Sequence, residues 1–357
     1  MSDTFEIDVE DPFTAATLNV PILVGSPLGA SKPDPKRTHA ALDPSTAPKI
    51  GDYQIIARFA SSDQAQVFLA QRSRPGREPE RVVLKLAPRH GHDFQGARTK
   101  LLDELGAMLL LQHPNIISVV EANEAPEGFF VVIEYVDGVD VASVLDRLAQ
   151  RKVRMPVELS AFTVKEVLKG LDHAHQATDG GQPLHLIHRD ANPSNVLLSR
   201  RGEVKLADFG IARIRGRLQS ATLPGVVKGK VSYLAPEYLA GKQIDHRIDI
   251  YSVGVMLYEL LTGIKAFPGK SMAASFKAIV HDGLSLDPLD AISLPEGIKP
   301  ILARAIDRNP ELRYSFAHEM VSKLETWSNG LGVRVGSDDL AAYLKEQRLV
   351  TGDSLEG

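Results

Sequence analysis

The chain has 357 residues, 43% hydrophobic and 24% charged, with 41 Lys plus Arg against 45 Asp plus Glu and a net charge of −4. A single core rarely grows that large, so two lobes or domains are expected. The charge balance excludes an electrostatically driven nucleic-acid binder, and the absence of cysteine excludes disulfides, zinc–thiolate sites, iron–sulfur clusters and thiol nucleophiles.

The first ten residues are acidic and lack the basic start and apolar stretch of a leader. The apolar segment Val20–Val24 is broken by Pro21, and no run approaches the ~18 apolar residues that span a bilayer. A cytoplasmic chain with no membrane span is expected. Pro12, Pro21, Pro27, Pro33, Pro35, Pro44 and Pro48 punctuate residues 1–49, which read as a disordered arm too poor in apolar surface to offset its ordering entropy.

From Tyr53 the pattern changes. Tyr53–Phe59, Gln66–Ala70 and Val82–Leu86 are short runs rich in β-branched and aromatic residues and predict an antiparallel meander. Residues 97–112 carry Leu101, Leu102, Leu105, Met108 and Leu109 at helical spacing, and His113-Pro114-Asn115 stops that helix. Ile116–Ala122 and Phe129–Tyr135 complete a predicted five-stranded sheet. Beyond Gly138 the helical period dominates, at Val141–Leu148, Ser160–His175, Ile248–Thr262, Met272–Asp282, Ile298–Asp307 and Phe316–Trp327. A β-rich part followed by a helical part is an α+β plan. Leu340, Tyr343 and Leu344 near the C-terminus leave a docking helix or a frayed end open.

Three strings carry the chemistry: Ile187-His188-Arg189-Asp190-Ala191-Asn192-Pro193-Ser194-Asn195, then Asp208-Phe209-Gly210, then Ala235-Pro236-Glu237. In this order and spacing they resemble the catalytic loop, the metal-binding motif and the end of the activation segment of protein kinases. The chain is most similar to bacterial, eukaryotic-like Ser/Thr protein kinases. The resemblance implies a bilobal kinase fold over 50–327, with an N-lobe at 50–136, a C-lobe at 137–327 and a C-terminal extension at 328–357. It also implies transfer of the ATP γ-phosphate to a Ser or Thr hydroxyl of a protein, in bacterial signalling, with autophosphorylation in trans. ATP and Mg²⁺ are the implied cofactors, with Mn²⁺ as a substitute.

The resemblance implies the following roles, residue by residue. Asp190 orients the acceptor hydroxyl and takes its proton. Asn195 and Asp208 offer oxygens to metal ions. Lys85 closes the strand Val82-Val83-Leu84 and faces the phosphates, paired with Glu104 nine residues before His113. Asp103 competes for that pairing but lies about 100° around the helix. Ile133 is the gatekeeper. Glu134 and Val136 present hinge backbone groups to adenine, and Val67, Val83 and Leu197 enclose the ring. Asp140 sits at the ribose position, where a helix-capping Asp is an equal alternative. Asp249 braces the catalytic loop, and Arg313 pairs with Glu237.

Three departures stand out, one of them Lys230 where the family often has Thr. The phosphate loop lacks all three glycines, reading Ala60-Ser61-Ser62-Asp63-Gln64-Ala65-Gln66-Val67. Asp63 also brings a carboxylate toward the triphosphate, so weakened nucleotide affinity is expected. Asn192 replaces the lysine usual two residues after the catalytic Asp. The alternative reading is a pseudokinase that binds nucleotide or protein as a scaffold. Within 210–235, Ser220 and Thr222 are expected phosphate acceptors near Arg189, with a basic loop that recruits acidic substrates as the alternative.

Overall fold

The computed structural model describes residues 48–61, 65–91, 93–209, 231–269 and 271–350. Residues 1–47 of the arm, Asp63 and the stretch carrying Ser220 and Thr222 lie outside them. Six antiparallel strands form the first sheet: β1 (Lys49–Ile50), β2 (Tyr53–Ser61), β3 (Gln66–Arg72), β4 (Glu80–Pro88), β5 (Val119–Ala125) and β6 (Gly128–Glu134), ordered β1-β2-β3-β4-β6-β5. Helix α1 (Phe94–Met108) crosses between β4 and β5. Side chains alternate across the sheet and feed two separate cores. Tyr53, Ile55, Phe68, Leu84 and Val132 fill one, while Val67, Val83, Val131 and Ile133 meet α1 through Leu101 and Met108 in the other.

Three sequence expectations are corrected. The sheet has six strands rather than five, because Lys49–Ile50, at the boundary between the expected arm (1–49) and the domain, pairs with Tyr53–Gln54. The helix runs over Phe94–Met108 rather than 97–112: Asp93 caps it, accepting a bond from the Gly96 N–H, and Leu109 and Leu110 are exposed. The strand expected at Ile116–Ala122 begins at Val119, because Ile116 instead bridges Leu206.

The second part is helical. β7 (Gly138–Asp140) leads into α2 (Val141–Gln150) and α3 (Val157–His175); β8 (Thr178–Asp179) and β9 (Gln182–Pro183) form a small hairpin. β10 (Val196–Ser199) and β11 (Val204–Leu206) join β7 in a three-stranded sheet. Then come α4 (Pro236–Leu239), α5 (Arg247–Thr262), α6 (Met272–Lys277), α7 (Asp287–Asp290), α8 (Ile298–Ala305) and α9 (Ala317–Gly330). The helix expected over Met272–Asp282 changes at Lys277 into a π-helical turn, Ala278–Asp282. α5 is buried on all sides, so it has no polar face and its Asp249 and Glu259 need internal partners.

The last helix, α10 (Ser337–Glu346), is docked rather than frayed. Leu340, Leu344 and Leu349 are fully buried in the main helical core. The guanidiniums of Arg147 on α2 and of Arg151, its C-cap, donate to the carbonyls of Leu349 and Gln347. At Gly202, with φ +75°, an added Cβ would lie 1.8 Å from the Ser337 carbonyl oxygen, so the β10–β11 turn touches the start of α10 backbone to backbone.

Candidate active site

The strands and helices converge on one cation. Lys85 on β4 is 8% exposed, its ammonium 2.7 Å from Asp208 Oδ1 and also bonded to Glu104 Oε1 on α1. Burial opposes its charge, but the carboxylates of Asp208 and Glu104 outweigh that and raise its pKa above the ordinary lysine value. Asp103 is exposed and takes no part. Asp208 adopts φ +56°, a left-handed conformation uncommon outside Gly, Asn and Asp. Phe209, next in sequence, is buried with its ring 4.5 Å from that of His188.

Asp249 holds the loop before Asp190. Its Oδ2 accepts the His188 N–H at 2.8 Å and its Oδ1 the Arg189 N–H at 2.9 Å. His175, the last residue of α3, meets the same Oδ2 at 2.8 Å. Burial alone would raise the Asp249 pKa, but the hydrogen bond and charge of His175 carry it below the ordinary carboxylate value. These bonds stabilise Arg189 at φ +64°. His188 accepts the Asp190 N–H at Nδ1, which leaves the Nε2 proton to donate to the Ala207 carbonyl at 3.1 Å. Burial holds the His188 pKa below its ordinary value, in keeping with that neutral tautomer.

Asp190 is fixed by carboxamides. Asn195 Nδ2 donates to the Asp190 carbonyl at 2.8 Å and to its Oδ2 at 3.1 Å. Asn195 Oδ1, by contrast, is buried and accepts no hydrogen bond from the described residues. A buried oxygen left in that state suits a hard cation. Among the described residues no group of three His, Asp or Glu could hold a metal unaided. Asn195 and Asp208 therefore fit Mg²⁺ when phosphate oxygens complete its shell.

The residues expected around adenine gather as well. Val67, Val83, Ile133, Val136, Leu197 and Ala207 share one buried cluster, with Val67 paired to Lys85 and Val83 to Ile133 across the sheet. Glu134, expected for its backbone, also uses its side chain: Oε1 accepts the Ser118 N–H at 2.8 Å and the Lys205 ammonium at 2.9 Å. Asp140 caps α2, its Oδ1 accepting the Ser143 N–H at 2.8 Å and its Oδ2 the Ser143 hydroxyl at 2.7 Å. Burial raises its pKa. The capping alternative is thus occupied, and a ribose hydroxyl would have to share those oxygens.

His175 and Lys205 escaped the sequence reading. His175 ends α3 and Lys205 lies on β11, and each meets its carboxylate only through the fold. Farther out, Arg313 bonds Glu237 at 2.7 and 2.8 Å, both buried. Tyr233 donates to Glu259 at 2.7 Å, and burial raises its pKa well above the ordinary tyrosine value.

A family model described as the protein kinase domain matches residues 63–324. The chain is 36% identical over 312 residues to the tyrosine-protein kinase MasK of Myxococcus xanthus, covering 86% of this chain and 48% of that protein. It is 34% identical over 275 residues to the serine/threonine-protein kinase PksC of Streptomyces coelicolor, with 76% and 48% covered. For the serine/threonine-protein kinase PknL of Mycobacterium tuberculosis the figures are 32% over 285 residues, with 79% and 67% covered. The chain thus spans about half the length of the first two.

Proposed function

The chain belongs to the protein kinase family, with bacterial Ser/Thr kinases among its relatives, and from that membership we propose that it transfers the γ-phosphate of ATP to Ser or Thr hydroxyls of a protein substrate. The observation that carries the reading is the assembled charge set: Lys85 between Asp208 and Glu104, beside Asp190 and the unpaired oxygen of Asn195. Phosphoryl transfer needs positioning and charge neutralisation more than covalent help. Lys85 binds phosphate oxygens. Asp208 and Asn195 hold Mg²⁺, which neutralises phosphate charge when bound. Asp190 orients the acceptor hydroxyl and takes its proton. Val67, Val83 and Leu197 exclude water from the adenine, while Glu134 and Val136 offer it backbone groups and Asp140 faces the ribose. Autophosphorylation in trans belongs to the same proposal, with Ser220 and Thr222 as acceptors.

A second reading, transfer to tyrosine, is favoured by the name of the Myxococcus relative. One experiment addresses both. The purified chain is incubated with γ-labelled ATP, Mg²⁺ or Mn²⁺ and a generic protein substrate, beside Asp190→Asn and Lys85→Met. We expect label on Ser and Thr, and a loss of at least ~100-fold in each variant. Label on tyrosine would transfer the case to the second reading. Nucleotide binding with no variant-sensitive label would leave a scaffold.

A further inference from the structure

Position 192 is where the lysine of the Ser/Thr kinase pattern is missing, and the structure shows what stands there instead. Asn192 is 2% exposed and folded beneath Asp190. Its Nδ2 donates to Asp190 Oδ1 at 2.7 Å and to the Asp190 carbonyl at 2.9 Å. Its Oδ1 accepts the Ser194 N–H at 3.0 Å and so caps the 3₁₀ turn Pro193–Asn195. Turning the amide over would set two oxygens against each other at Asp190 and leave the Ser194 N–H facing a donor, so the network fixes the assignment. Asn195 mirrors this from the other side through Oδ2 and the same carbonyl.

Each carboxylate oxygen of Asp190 thus accepts from one carboxamide, and both carboxamides share its carbonyl. The Asn192 side chain has a partner for its donor group and for its oxygen within the loop, and it carries no charge to a phosphate. We propose that Asn192 is a positioning residue: its carboxamide sets the rotation of the Asp190 carboxylate, and position 192 brings no cation to the transferred phosphoryl group. This rests on the phosphotransfer reading. In that step the acceptor O–H bond breaks, its proton passes to Asp190 and its oxygen bonds phosphorus. The bond from phosphorus to the bridging oxygen breaks with its electron pair leaving on ADP.

Three variants of the full chain test it, each first checked for a thermal midpoint near that of the wild type. Asn192→Asp keeps the acceptor for Ser194 but turns the donor into a second carboxylate. Its kcat should fall about 100-fold, the scale of positioned acid–base catalysis, with KM for ATP within about twofold. The acidic limb of its kcat–pH profile should move to higher pH, because adjacent carboxylates share a proton. Asn192→Ala loses both bonds without adding charge. Its kcat should fall about tenfold with the acidic limb in place. Asn192→Lys supplies the cation but no acceptor for Ser194, and should also lower kcat. A rise in kcat in Asn192→Lys, or an unchanged kcat and pH profile in Asn192→Asp, would overturn the proposal while leaving phosphotransfer standing. A wild type no more active than Asp190→Asn would instead overturn the phosphotransfer reading, and the positioning role with it.

Discussion

At the scale of single residues, the molecule spends its buried charges in matched sets. Arg313 is 1% exposed and its two terminal nitrogens meet the two oxygens of Glu237, while Nε donates to the Asp307 carbonyl at 2.7 Å. Removing one partner strands the other. Arg313→Met is therefore expected to cost about 3–5 kcal/mol in urea unfolding, and adding Glu237→Gln to return part of it. The residues proposed for the catalytic set could be read together in the sequence because their spacing is a motif: Asp190, Asn195 and Asp208 stand close along the chain. Glu104 was legible from helix phase, which separates it from Asp103. His175 and Lys205 were not, since each works through a partner far along the chain, Asp249 and Glu134 respectively. The Asn192 substitution was visible, but not its geometry: a sequence shows a lost charge and not where the shorter side chain turns.

At the scale of elements, strands with alternating or continuous apolar runs were read closely, and errors fell at ends and at short pieces. β7, β10 and β11 have 3, 4 and 3 residues, too short for any period to register. α1 was displaced because Leu109 and Leu110 continue its apolar run yet face solvent. α10 needed the fold to decide it, since three apolar residues in a short segment suit a docked helix or a loose end equally. Its seat is narrow at Gly202. Gly202→Ala combines a left-handed φ with a clash against Ser337, so a loss of more than ~1 kcal/mol is expected. Hydrogen exchange should show α10 amides opening first, ahead of those in α5. Loss spread evenly over both helices would mean that the turn does not seat α10.

At the scale of the whole molecule, one buried and one half-buried histidine set an acid limit on stability. Burial holds the pKa of His188 below the ordinary 6.5, and burial together with the stacked His173 does the same for His113. As pH falls through about 6.5 the unfolded chain takes up protons that the native chain refuses, so stability falls in that window and is level above it, by up to ~1.4 kcal/mol per unit for each site. Asp249, held below its ordinary 3.8, adds a loss of the same sign as pH falls through that value. The urea midpoint should accordingly be lower near pH 5.5 than near pH 7.5, and His113→Gln should reduce the difference; equal midpoints would refute this. The docked C-terminal helix carries a further consequence, for where the cooperative unit ends. The matched family domain stops at residue 324, yet Leu340, Leu344 and Leu349 are sealed into the same core as α3 and α5. A chain cut at Trp327 would open that core to water and present a fresh oily surface, and such surfaces draw copies together. Its first symptom would be concentration-dependent clumping rather than lost chemistry, and the shortest well-behaved fragment should run through Val350.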